Sequence, residues 1–393
     1  MKRYINLLYL SMNVNLNNEA KIQKFMYSVR SEQTKKNYMV RLEYFFESVS
    51  LTPNELLSLP VDKIQDILID YIIKLRDRKL SHNYIKARLS PVITFLEIND
   101  IFINKKKMAR FYGEQKKTVK DYAYTHEDIQ KMLSMASLRH KVIILIYSST
   151  GIRKSAILDL KVKHLQNIDN FKLYKIIVYE NTKEEYYTFC TPECAKTIDQ
   201  YIEYRKQAGE TISKESFLIR NNFDFNNKQQ VKDPQPINYS SLVVQFRKLL
   251  INCGLRESGA EQFKRHEKAL FHAFRKYFAT NLANCDVNQL IKELLMGHSV
   301  GLDNSYYRPN ENKMLSEYMK AIDMLTIDSS HRLERKMQVL QQEKNQIEML
   351  ELKHSSEMKK MDEKIEKLMI MYSQNPKLTR IKPKILKTKI RLD

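Results

Sequence analysis

Phe271-His272-Ala273-Phe274-Arg275-Lys276-Tyr277-Phe278-Ala279-Thr280, with Met296-Gly297-His298 and Tyr306-Tyr307 downstream, is the stretch from which the rest of the chain is read. It gathers a His, an Arg, a second His and a Tyr within one short run of predicted helices. Such a set suits phosphate chemistry. Arg offers a planar fork of donors to a phosphate, and His exchanges a proton near neutral pH. A Tyr hydroxyl becomes a nucleophile where neighbours stabilise the charge that develops. Any one of these residues alone would fit a basic helix with aromatic neighbours, so the decision rests on what the remaining chain supplies.

The composition narrows the field. The chain has 393 residues, enough for two or three domains, and 43% of them are hydrophobic. No apolar run approaches the roughly 18–20 residues of a membrane span. Met1-Lys2-Arg3 followed by Ile5 to Leu10 resembles the start of a signal peptide, but the stretch is short and lacks a small-residue cleavage site. Cys190, Cys194, Cys253 and Cys285 do not make a disulfide framework, and no second Cys/His pair stands at zinc-site spacing. A reducing, cytoplasmic setting without a metal or other cofactor fits. The formal charge of +21 is the strongest global signal and favours a polyanionic partner, nucleic acid before membrane lipid. Only seven glycines occur, and Gly151, Gly297 and Gly301 lie beside candidate active residues.

Along the chain, residues 1–27 read as a polar lead-in. Residues 28–103 read as a small all-helical unit. In it Thr34 caps one helix, a second follows Pro60, and a third runs from Ser81 until Pro91 interrupts it. Residues 104–121, with Lys105, Lys106, Lys107, Arg110, Lys116, Lys117 and Lys120, read as a basic linker suited to phosphate contact. Residues 122–326 then hold an apolar helix running into Thr150-Gly151-Ile152-Arg153. A hairpin follows, made of strands 171–179 and 185–190 around Asn181-Thr182-Lys183. Thr191-Pro192-Glu193 is a helix start, and residues 213–236 are a polar loop. From 329 to 372 a heptad pattern places Leu333, Leu340, Ile347, Met361 and Leu368 at one seam position and Met337, Met358 and Ile365 at the other. It predicts a coiled coil or long amphipathic helix, interrupted by Lys344, Glu351 and His354. Residues 373–393 form a basic flexible tail.

Taken together these pieces resemble the tyrosine recombinase (phage integrase) family. Thr150-Gly151-Ile152-Arg153 resembles its first arginine box, and Lys183 its β-hairpin lysine. His272-Ala273-Phe274-Arg275 is similar to its His-x-x-Arg box. Gly297-His298-Ser299 followed nine residues after the His by Tyr307 resembles its last box and nucleophile. The resemblance spans about Ser28 to Asn310. It implies a mainly α fold with a small β-hairpin or sheet in the catalytic domain, preceded by an α-helical core-binding domain, the two closing like a C around duplex DNA. It also implies catalysis by Arg153, Lys183, His272, Arg275, His298 and Tyr307, with Tyr306 as the alternative nucleophile and Lys172 or Lys175 as alternative lysines. Two positions depart from the family pattern. Ala156 stands where an acid is usual, with Asp159 as a possible substitute, and Lys276 stands where a His is frequent.

The activity implied is site-specific recombination or integration of a mobile element or viral genome. It would proceed through a 3′-phosphotyrosyl intermediate, within a synaptic tetramer that the coiled coil would assist. A type IB topoisomerase-like enzyme and a non-catalytic, architectural DNA-binding protein are the competing readings.

Overall fold

The computed structural model describes residues 19–115, 120–257, 266–300 and 309–373. The chain forms two compact units, Met1–Lys120 and Asp121–Asp393.

The first unit is helical: α1 (Ala20–Ser28), α2 (Glu32–Val49), α3 (Pro53–Ser58), α4 (Val61–Asp77), α5 (His82–Ile98) and α6 (Lys105–Ala109). Its core joins Phe25, Phe45, Phe46 and Phe95 in edge-on ring contacts with Ile64, Leu68, Ile85 and Leu89 around them. Four expectations are corrected here. The lead-in 1–27 contains most of α1, because Ile22 and Phe25, three apart, are fully buried in this core. The cap of α2 is Ser31, whose hydroxyl accepts the Thr34 amide at 3.4 Å, so Thr34 lies inside the first turn.

Pro91 does not break α5, which runs unbroken through it. Proline removes the donor for the carbonyl four residues back, and the Arg41 guanidinium donates to that Ala87 carbonyl at 2.7 Å instead. Lastly, part of the stretch 104–121 is folded. Asn104 caps α6, its own amide donates to Gln65 at 2.8 Å, and Met108 is fully buried among the helices of the unit. The lysines face outward while one methionine docks the turn.

The second unit comprises α7 (His126–Met135), α8 (Leu138–Thr150), α9 (Ala156–Asp159), β1 (Leu165–Ile168), β2 (Leu173–Val178), β3 (Tyr186–Phe189) and α10 (Pro192–Gln207). After these come α11 (Lys228–Lys232), α12 (Tyr239–Asn252), α13 (His272–Asn284), α14 (Gln289–Leu295), α15 (Glu311–Leu325) and α16 (Ser329–Ser373). The fold is thus mainly helical with one small antiparallel sheet in the order β1-β2-β3. The expected hairpin is present, with Lys175 paired to Phe189 and Val178 to Tyr186. Strand β1 is an addition. Four residues, Leu-Gln-Asn-Ile, carry too little β-signal to be read alone, and pairing with β2 defines them.

Helix α8 is the axis of this unit. Every residue from Val142 to Thr150 is buried, and α10 and α13 pack along it. Thr125 and Asp128 close a capping box on α7, and Thr191 with Pro192 opens α10 as the sequence predicts. The polar segment 213–236 contains α11 and is tethered through Glu210, which accepts from Arg205 at 2.5 Å and Arg220 at 2.7 Å in a buried triad.

Helix α16 is one continuous run of 45 residues, and from Leu333 to Met371 every described side chain is exposed. The tail from 374 onward lies outside the described residues.

A candidate active site

Three chain segments converge at the C-terminal end of α8. The first is the turn after α8. Gly151 ends the helix in a left-handed conformation (φ 60°), its amide donating to the Tyr147 carbonyl at 3.1 Å. A Cβ there would lie 2.4 Å from the buried Phe278 ring, so both conformation and space demand glycine. The Tyr318 hydroxyl donates to the Ser149 carbonyl at 3.0 Å and fixes this helix end. The turn delivers Arg153.

The second segment is α13, which presents Arg275, 7% exposed. Its guanidinium donates to the Gly151 carbonyl at 2.6 Å, to the Met296 carbonyl at 2.7 Å and to His298 Nε2 at 2.5 Å. It thereby ties all three segments together. Burial lowers its pKa, and the Arg153 charge adds to that lowering.

The third segment is the turn after α14. Gly297, also left-handed at φ 66°, gives its carbonyl to Arg153 Nη2 at 2.5 Å. A Cβ on it would fall 2.3 Å from Tyr186 Cε1. His298 Nδ1 meets the Glu293 carboxylate at 2.5 Å. Because a carboxylate only accepts, Nδ1 carries the proton and Nε2 is left as the acceptor that Arg275 reaches.

Arg153, Arg275 and His298 are therefore brought into one hydrogen-bonded cluster. His272 and Lys183 are placed differently. His272 is the exposed first residue of α13. Partial desolvation of the ring and the Lys276 charge hold its pKa below the ordinary value, against the opposing pull of Asp121. Lys276 itself pairs with Asp121 at 2.7 Å. Lys183 is exposed in the β2–β3 turn, which is built on left-handed Tyr179 and Asn181 and on the Thr182 hydroxyl donating to the Tyr179 carbonyl at 2.8 Å. The alternative Lys175 is held by Glu311 at 2.6 Å against the Tyr187 ring, and Lys172 caps a short turn before β2. Tyr306, Tyr307 and Gly301 lie outside the described residues.

Two carboxylates join the cluster that the sequence did not indicate. Glu293 orients His298, and Glu184 stands 3.8 Å from Arg153. Asp159, the substitute considered for the missing acid at Ala156, is exposed and lines a cavity of about 260 Å³ with Lys161, His164 and Tyr179. No signal marks Glu293 in advance. It stands five residues before His298, a separation that the turn at Gly297, not helical periodicity, brings together. Tyr186 was equally silent, one aromatic among the chain's 23 tyrosines. No group of three or more His, Cys, Asp or Glu side chains placed to hold a metal occurs among the described residues.

Residues 122–313 match the phage integrase family model. No curated protein matches the chain by sequence. Among solved structures, the chain is similar to the Tn1549 transposon integrase in complex with circular-intermediate DNA. One such structure shares 16% identity at a TM-score of 0.50 and covers 76% of this chain and 99% of that one. A second gives 16% identity, a TM-score of 0.50 and coverage of 76% and 98%. The XerH site-specific recombinase bound to its difH substrate shares 16% identity at a TM-score of 0.47, over 73% of this chain and 77% of that one. With the family match spanning the segments that carry Arg153, Arg275 and His298, residues 122–313 of this chain form a phage integrase family domain, the domain of the tyrosine recombinases that break and rejoin DNA strands.

Proposed function

We propose that this protein is a site-specific recombinase or integrase acting on duplex DNA through a covalent 3′-phosphotyrosyl intermediate. The observation that carries the proposal is the convergence of Arg153, Arg275 and His298, from three chain segments, on one cluster of anion-binding donors. In this reading the two guanidiniums hold the non-bridging oxygens of the scissile phosphate and stabilise the five-coordinate transition state. Tyr307 attacks phosphorus through its phenolic oxygen. The bond to the 5′ oxygen breaks, and Lys183 protonates that leaving oxygen.

The free phenol has a pKa near ~10 and needs a base. His272 fills that role, since its lowered pKa keeps the imidazole neutral and able to accept. His298 hydrogen-bonds the phosphate, with its tautomer set by Glu293. Lys183 is preferred to Lys175 because Glu311 already engages Lys175. The energy of the broken phosphodiester is kept in the phosphotyrosine, so strand rejoining follows by the reverse attack.

The formal charge of +21 supports DNA as the partner. Recombination between two sites requires four protomers, and α16, with exposed Leu333, Met337, Leu340, Ile347, Met358, Met361, Ile365 and Leu368, offers the apolar seam for self-association in that assembly. Integration or excision of a mobile element or viral genome is the role this chemistry serves, in the cytoplasm and on DNA. A nicked suicide duplex tests the reading. The wild-type protein forms a covalent adduct, and adduct formation disappears in Tyr307→Phe. Absence of any adduct on candidate sites would favour a non-catalytic DNA binder, and relaxation of supercoiled plasmid without site preference would favour a topoisomerase.

A further inference from the structure

The Tyr186 hydroxyl is an unexplained group in this cluster. Its oxygen is buried and closes no well-formed hydrogen bond among the described residues. The ring lies flat against the backbone of Gly297, where even a methyl group would collide with Cε1. Its polar neighbours include the guanidiniums of Arg275 and Arg153 and the Tyr179 phenol. Guanidinium groups only donate, so they can engage the phenolic oxygen but cannot accept its proton. The phenolic O–H is therefore a buried donor beside two cations, neither of which can accept its proton.

A second orphan lies in the same place. Among the described residues, Arg153 Nη1 is buried without a hydrogen-bond partner, and the Glu184 carboxylate stands 3.8 Å from it. Two unpartnered buried donors thus flank Arg275. Buried donors left unmade are costly, and they persist in native proteins where a ligand completes them. An anion that offers more than one oxygen satisfies both donors and is favoured by the two guanidinium charges beside them. A phosphodiester does so.

Resting on the recombinase reading above, we infer that Tyr186 is a further catalytic residue whose hydroxyl donates a hydrogen bond to one non-bridging oxygen of the scissile phosphate held by Arg153 and Arg275. Burial supports this role by pushing the Tyr186 pKa up to about 12 against the pull of the two arginines, so that the group is a neutral donor at neutral pH. Gly297 acquires a second purpose in this arrangement, since any side chain there would push the phenol away from the arginines. Position 186 opens β3, three residues beyond Lys183, so one hairpin supplies both the leaving-group acid and a phosphate donor.

Tyr186→Phe is the test, because it keeps the ring on Gly297 and deletes only the hydroxyl. The substrate is a nicked suicide duplex, prepared with an ordinary phosphate and with each methylphosphonate diastereomer at the cleavage position. On the ordinary phosphate the variant forms the covalent adduct about 10- to 100-fold more slowly, while binding intact duplex within about two-fold of wild type. On the diastereomer that lacks the oxygen Tyr186 contacts, wild type and variant react at the same rate. On the other diastereomer the deficit returns. A purely structural role for Tyr186 would give the same deficit on all three substrates.

Adduct formation within two-fold of wild type on ordinary phosphate, or an equal deficit on both diastereomers, would overturn the inference. Should the wild-type protein form no adduct with any duplex, the recombinase reading fails separately. A phosphorus NMR titration with inorganic phosphate then judges Tyr186 by itself. Weaker binding by Tyr186→Phe sustains the donor, and equal binding rejects it. Thermal melts of both proteins confirm that the variant is folded.

Discussion

The candidate site has two halves built on opposite principles. Arg275, Arg153 and His298 are locked before any substrate arrives, Arg275 alone donating to Gly151, Met296 and His298. Lys183 and His272, by contrast, stand exposed, one on a hairpin turn and the other at a helix start. The contrast matches the work each half is proposed to do. Charge that develops on a phosphate is stabilised best by donors already fixed in position. Proton transfer needs groups that approach the nucleophile and the leaving oxygen as the reaction proceeds. Damage to the locked half should therefore cost both structure and activity, and damage to the open half should cost activity alone.

The largest effect expected is from Arg275→Ala, which leaves two buried carbonyls without their donor and removes one clamp. Covalent adduct formation should fall by at least about 10³-fold, with a lowered melting temperature. Arg275→Lys should recover little, since an ammonium cannot bridge three partners held by a planar fork. Next comes Lys183→Ala. Adduct formation should drop by about 10²- to 10⁴-fold with stability within about 0.5 kcal/mol of wild type. A duplex whose 5′ leaving oxygen is replaced by sulfur should restore the rate, because a thiolate departs without a proton. A lysine variant that melts early, or is not rescued by sulfur, would erase the distinction between the halves.

Gly151→Ala should destabilise the second unit by about 2–3 kcal/mol, from the left-handed backbone and the collision with Phe278. A urea melt of the variant checks this.

The smallest effect concerns pH. The lowered His272 pKa means that the imidazole stays neutral, and competent as a base, until the pH falls below its ordinary value near 6.5. The acidic limb of the cleavage–pH profile should lie below that value. Lys276→Gln should move the limb upward, because it removes a cation beside His272 and releases Asp121 from its ion pair. A limb that does not move would take His272 out of the base role.

The cluster of Arg153, Arg275 and His298 was legible in the sequence because the proposed chemistry asks for particular residue types at fixed separations within single segments. The His272 and Arg275 pair occupies one helical turn, Gly151 must precede Arg153 to end α8, and Gly297 must precede His298. What could not be read depends on contacts between segments. Glu293 reaches His298 only because the chain reverses at Gly297, and Tyr186 becomes notable only once β3 lies against that turn. Contacts between segments decide the exceptions away from the site as well. Pro91 reads as a break until Arg41 is seen to supply the missing donor, and a lysine run reads as linker until Met108 is seen to be buried. Local pattern specified the elements, and tertiary partners decided the exceptions.

The claim that the cluster serves covalent DNA chemistry is tested most directly by trapping on a nicked suicide duplex with wild type, Tyr307→Phe and Tyr306→Phe in parallel. A covalent protein–DNA adduct is expected with wild type and Tyr306→Phe, and none with Tyr307→Phe. Trapping that survives Tyr307→Phe would contradict it, and loss in Tyr306→Phe alone would assign the nucleophile to the neighbouring tyrosine.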